Sequence, residues 1–200
     1  KMALTTLDIK EPGLNALPPG VERYVVEGGG LTGIQILPDD QIEIINNEGN
    51  QICEISVFNK DGKSELGILG LKEIKENSEI KKILLKKDEA SLQALLQLKK
   101  RNLNIEKSKS SLIFDKETKA GESIKLKSKD KCYCIFAAPG KEMMVHEQNP
   151  STELTVMIKR SVVKEDKEFY IIPDPVYDPS SEFNIIRTTA NSYQVKEGDY

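Results

Sequence analysis

The stretch TGIQILPDDQIEIINNEGNQICEISVFNKDGK, residues 32–63, alternates apolar and polar side chains. Ile34 and Ile36 flank Gln35, and Ile42 and Ile44 flank Glu43. Successive side chains on a strand point to opposite faces, so this spacing describes strands with one buried face. Turn-forming clusters punctuate it: Pro38-Asp39-Asp40, then Asn47-Glu48-Gly49-Asn50. A third strand runs from Ile52 to Phe58 and ends at Asn59 to Gly62. Alternation between turn clusters predicts a meander of antiparallel strands.

The middle of the chain changes period. In NSEIKKILLKK, Ile80, Ile83 and Leu84 fall at helical spacing, with Asn77 or Ser78 as cap and Glu79 in the first turn. In DEASLQALLQLKKRN, Asp88 can cap, and Leu92, Leu95, Leu96 and Lys99 share a face with Leu98 beside it. Capped, amphipathic segments of this kind predict helices near 79–86 and 89–102 whose leucines pack on a sheet. Strands resume at Leu112 to Phe114, Ser123 to Lys127, Lys131 to Ala137 and Leu154 to Lys159. The expected fold class is mainly β, an antiparallel β sandwich or barrel with a short two-helix insertion.

Three segments follow from this reading. Residues 1–30 form an extended N-terminal segment rich in Pro and Gly, with a short strand at Tyr24-Val25-Val26. Gly28 to Gly30 reads as a joint or bulge, since no Gly-Lys-Ser/Thr ending marks a phosphate cradle. Residues 31–160 form the β module, with the helical insertion near 77–103. Its loop at 138–152, APGKEMMVHEQNPST, is long, and long loops carry function more often than short ones. Residues 161–200 start as a connector rich in proline (Pro173, Pro175, Pro179). They end on NSYQVKEGDY, which reads as the start of a second, truncated module. One hairpin scheme recurs at 34–44, 116–126 and 192–200, the last copy incomplete, so the chain is expected to be a fragment.

Composition narrows the function classes. The chain is 38% hydrophobic and 30% charged, as a globular domain is. No apolar run approaches the roughly 20 residues of a membrane span, and the first residues lack a signal peptide's apolar stretch. Cys53, Cys132 and Cys134 are an odd set without scaffold spacing, read as reduced thiols in a cytoplasmic protein. The net charge of −3 hides an asymmetry. Residues 60–131 carry 19 Lys+Arg against 12 Asp+Glu, and the remainder carries 10 against 20. A basic middle between acidic flanks suggests internal complementarity or a docking face for an acidic partner.

Specific chemistry is sparse. Cys132 and Cys134 share a strand face, and with Cys53 and His146, the single histidine, they are the available metal ligands. Their spacing matches no zinc motif, so no metal is expected. The same residues offer little for nucleophilic catalysis. The basic middle holds one aromatic residue, Phe114, which argues against nucleic-acid binding. Glu54 and Glu65 border the most patterned region.

Residues 38–65, PDDQIEIINNEGNQICEISVFNKDGKSE, resemble the pattern GDxLxIxxxxGxQxxDxxxFN…E of the urea-carboxylase-associated family. Gly49, Gln51, Phe58, Asn59 and Glu65 match it position by position. Glu54 stands where the family has aspartate, and Asp39-Asp40 where it has Gly-Asp. KAGESIKLKSKDKCYCIFAAPG is similar to the family's closing strands, and TTANSYQVKEGDY resembles the opening of another module. The tandem arrangement is similar to the N-terminal region of long aminomethyltransferases of the glycine-cleavage T-protein type, where such modules precede a folate-dependent domain. The Cys- and His-rich stretch of the enzymatic relatives has no counterpart here beyond Cys132, Cys134 and His146.

The resemblance implies a non-catalytic N-terminal β module that positions or gates the catalytic part of an aminomethyltransferase-like parent. It implies no cofactor in these residues, and tetrahydrofolate in the parent. The alternative it offers is a small-molecule C–N hydrolase or deiminase module using Glu54, Glu65 and Cys53, and a ligand-sensing domain is a third class. The expected partner is the remainder of the parent chain, with neither nucleic acid nor membrane. An ancestral small-molecule site is expected around Gln51, Glu54, Asn59 and Glu65, suited to a small amine or guanidine. Gln51 and Glu54 are three apart, so both serve one site only if the strand bulges or ends between them.

Overall fold

The computed structural model describes residues 17–74, 78–86, 89–140 and 150–162. Among the described residues eight strands form in chain order: β1 (Val21–Val26), β2 (Leu31–Ile36), β3 (Gln41–Asn46), β4 (Cys53–Asn59), β5 (Ser110–Phe114), β6 (Glu122–Lys127), β7 (Cys132–Ala137) and β8 (Leu154–Lys159). A 3-10 turn at Leu66–Leu69 and helices α1 (Glu79–Leu84) and α2 (Glu89–Lys100) lie between β4 and β5. One sheet has the order β1-β8-β3-β6 and the other β2-β7-β4-β5, every pair antiparallel. This is the expected antiparallel sandwich, and its strand order is that of an eight-stranded jelly roll.

The meander is corrected. Among the described strands only β4 and β5 are neighbours in both sequence and sheet; every other successive pair crosses from one sheet to the other. The clusters at 38–40 and 47–50 are corners between sheets rather than hairpins. Their backbone groups bond to other corners: Asp39 N–H donates to Ser128 O, Asn50 N–H to Thr118 O, and Gly121 N–H to Asn46 O. Asp39, Gly49 and Asn50 hold the positive φ these corners need. A Cβ on Gly49 would lie 2.6 Å from Ala120 N, so the corner also depends on a bare backbone. The copy of the hairpin scheme at 116–126 is likewise a crossing, and the copy at 192–200 lies outside the described residues.

Alternation does set the core. Ile34, Ile36, Ile42, Ile44, Cys53, Ile55, Val57, Cys132, Cys134 and Phe136 point between the sheets, joined by Leu154, Val156 and Ile158. The opposite register of the β2-β7-β4-β5 sheet presents Leu31, Phe58, Ile135 and Ala137 to the helices. β4 is therefore covered on both faces. Fully burying a side chain such as Phe58 stabilises by about 2 kcal/mol, which is what holds the insertion to the sheet. Ser78 caps α1 by accepting from Lys81 N–H, as its sequence suggests; the expected cap of α2, Asp88, lies outside the described residues.

The buried face of α2 differs from the expected leucine face. Ser91, Ala94 and Leu98 are buried, Leu95 is partly so, and Leu92 and Leu96 are exposed. Small side chains at Ser91 and Ala94 bring the helix close, and Ser91 Oγ donates to Ile83 O across the α1–α2 joint at 2.9 Å. β1 is longer than its sequence suggested and forms an outer strand of its sheet by pairing with β8, Val21 opposite Lys159. Gly28 lies in the turn after β1, where a Cβ would sit 2.3 Å from Ser151 O.

Candidate functional site

The four residues singled out by sequence lie on or beside β4, in two places. Gln51 stands two residues before the strand and is buried. Its Nε2 donates to Pro139 O at 3.1 Å and Ile52 O at 2.9 Å, and its Oε1 accepts from Thr152 N–H at 2.8 Å. It thus joins the two described flanks of the 138–152 loop. Asn46 Nδ2 donates to Gln51 O at 2.8 Å, and Asn47 Nδ2 to Thr155 Oγ1 at 3.0 Å. Among the described residues, two buried oxygens of this cluster, Asn46 Oδ1 and Thr152 Oγ1, accept no hydrogen bond.

Glu54 is 1% exposed, on the face of β4 that the helices cover. Ser78 Oγ donates to its Oε1 at 2.5 Å, and Glu79 N–H to its Oε2 at 2.7 Å. A carboxylate at the first turn of a helix satisfies N–H groups that have no partner inside the helix. A shift in the β4–β5 register falls between Cys53 and Glu54, so the strand is irregular between Gln51 and Glu54. The two side chains nonetheless take separate partners.

Asn59 and Glu65 do meet. Asn59 Nδ2 donates to Glu65 Oε2 at 2.8 Å, while Asn59 Oδ1 accepts from Asp61 and Lys63 N–H, both at 3.0 Å. The group closes the turn after β4 and faces solvent. It lies at the far end of the strand from Gln51, roughly 20 Å along a strand of this length. The four residues therefore form one exposed pair and two separate buried anchors.

The thiols lie between the sheets. Cys132 and Cys134 Sγ atoms are 3.8 Å apart, and all three cysteines are buried and free. Burial, and then the charge of Glu54, push the Cys53 thiol up. Burial, and then Cys132, raise Cys134, whereas the hydrogen bond from Cys134 lowers Cys132. Cys53 and Cys134, held protonated and enclosed, are poor nucleophiles and poor metal ligands. Among the described residues no group of three or more His, Cys, Asp or Glu side chains is placed to hold a metal. His146 lies outside them.

Sequence reasoning missed a charged cluster where the chain leaves β8. Arg160 reaches Glu22 Oε1 at 2.8 Å, Glu22 Oε2 at 2.6 Å, Asp40 Oδ2 at 2.7 Å and Gln35 O at 2.9 Å. Asp40 is fully buried and also accepts from Leu37 N–H and Ser161 N–H. Burial opposes the Arg160 charge, but hydrogen bonds to Glu22 and Asp40 leave its pKa raised. Burial, and then Glu22, push the Tyr24 phenol up as its hydroxyl donates to Glu22 Oε2. The available signal was an arginine directly after a strand in a lysine-rich chain, a residue suited to bidentate carboxylate pairing. Among the described residues no helix is long and apolar enough to cross a membrane.

No family model matches the chain. Over 193 residues, 96% of this chain, it is 36% identical to the trimethylamine-oxide aldolase of Ruegeria pomeroyi. The chain spans 24% of that relative's length. The relative is named as an aldolase, not as the aminomethyltransferase that the sequence resemblance implied.

Proposed function

We propose that this chain is a β module of a larger protein of the trimethylamine-oxide aldolase kind, where it positions or gates a catalytic part outside these residues. The observation that carries this reading is the lopsided match, which takes in 96% of this chain and 24% of the aldolase. The side chains support it. Gln51, Glu54 and Asn59 each hold a backbone turn, loop or helix start in place. Release of formaldehyde from trimethylamine oxide would break one C–N bond and leave dimethylamine; the N-oxide is reduced as that methyl carbon is oxidised, so the step balances without an external oxidant.

Formaldehyde release from trimethylamine oxide, measured with the full-length protein and with this chain alone, tests the proposal. Turnover by the full-length protein and none by the chain alone is expected. Turnover by the chain alone would place the chemistry in these residues. No turnover by the full-length protein would remove the aldolase reading.

A second reading keeps a ligand at the Gln51 end. Asn46 Oδ1 and Thr152 Oγ1 are acceptors without donors among the described residues, which suits a small amine or guanidine bearing N–H groups. Calorimetric titration with guanidine and dimethylamine tests it. Heat that disappears in Gln51→Ala supports this reading, and no heat with either ligand removes it.

A further inference from the structure

The solvent face of α2 is apolar along its middle and cationic at its end. Leu92 and Leu96, one turn apart, are 50% and 58% exposed, and Leu85 just beyond α1 is 61% exposed. Lys99 and Lys100 continue the same side of the helix and are exposed, as is Lys86. Leucines left in water beside a row of ammonium groups fit an occupant with apolar side chains flanked by carboxylates.

The chain contains such a segment. Residues 165–178, EDKEFYIIPDPVYD, place Phe169, Tyr170, Ile171 and Ile172 between Glu165, Asp166 and Glu168 on one side and Asp174 and Asp178 on the other. Lys167 is their one cation. The path to α2 is short. Ser161 is anchored where its N–H donates to Asp40 Oδ1 and its Oγ to Pro38 O. That corner bonds to Ser128, and Cys132, four residues on, pairs with Asn59. Gly62 N–H donates to Asn59 O, and Asn104 N–H, just past α2, donates to Gly62 O. The exit of the chain and the C-terminal end of α2 therefore share one end of the sandwich. Seven extended residues from Val162 to Phe169 span up to about 23 Å. Leu92 lies about 12 Å along the helix from Lys100.

We propose that residues 165–178 of this chain dock along the solvent face of α2, with Phe169 to Ile172 against Leu92 and Leu96 and the carboxylates toward Lys99 and Lys100. The segment covers the exposed leucines, and its charges set its direction along the helix. Added salt weakens the docking by screening the carboxylate–ammonium attraction.

Amide hydrogen exchange on the 200-residue chain tests this, with the double variant Leu92→Ser/Leu96→Ser as comparison. Both positions are exposed, so the sandwich is expected to keep its unfolding midpoint. Exchange at 169–172 should be slower in the parent chain by about tenfold or more, because docked amides open only with the local unit. Equal exchange in the two proteins would overturn the proposal. A Leu96→Cys/Ile171→Cys pair gives an independent reading under mild oxidation. An intramolecular crosslink in monomeric protein supports the docking. A crosslink formed only between two molecules would assign the face to a second copy and overturn it.

Discussion

Glu54 shows what one residue does in this molecule. Its carboxylate receives Ser78 Oγ–H and Glu79 N–H and so fixes the start of α1 over β4. Glu54→Ala leaves both donors unmatched in a buried place, and a loss of about 2 kcal/mol in urea unfolding is expected. Glu65→Ala, at an exposed carboxylate, should leave the unfolding midpoint nearly unchanged. This contrast was not legible in ICEISVFN. Glu54 and Ser56 alternate with Cys53, Ile55 and Val57 as a solvent face does, and only a distant insertion covers them. Phe58 in the same register was the available clue. Tyr24 carries a pH signature. Its phenol is raised by burial and Glu22, so the folded chain holds its proton longer than the unfolded chain does. Stability should be level with respect to this group below the unfolded tyrosine value, about 10, and fall as pH rises above it. Chemical denaturation across that range should show a shallower fall for Tyr24→Phe.

Helix α2 and the inter-sheet corners show how elements depart from their local patterns. Leu98→Ala removes a side chain packed on the sheet and should cost about 3 kcal/mol. Leu96→Ala should change the stability of the sandwich by less than about 0.5 kcal/mol, because that side chain belongs to neither core cluster. Paired urea melts of the two variants check which face is buried. The apolar stripe of DEASLQALLQLKK is wide enough to admit two faces, and leucine counting favoured the wrong one. Proximity decides instead, since Ser91 and Ala94 allow an approach that leucines would block. Strand positions were legible because alternation is local. Their partners were not, because Pro38-Asp39-Asp40 supplies the same turn chemistry to a hairpin and to a corner. Pairing of β1 with β8 joins segments more than a hundred residues apart and leaves no local trace.

At the scale of the molecule, the Arg160 cluster links both sheets. Arg160 follows β8, Glu22 belongs to β1, Asp40 precedes β3, and Gln35 O belongs to β2 in the other sheet. Asp40→Ala removes acceptors from Arg160, Leu37 N–H and Ser161 N–H together, and a loss of about 3 kcal/mol is expected. Differential scanning calorimetry should show it as one cooperative shift rather than a separate early transition. Folding of a sandwich whose outer strand must meet its last strand belongs to the slow, millisecond-to-second class. The same pairing has a further effect. Val21 lies opposite Lys159, and Arg160 N–H donates to Gly20 O at 2.7 Å. The polypeptide enters and departs through one doorway, about 5 Å wide, the spacing of neighbouring strands. A cassette with such a doorway can be spliced into a host chain at a single surface point without prising the host apart.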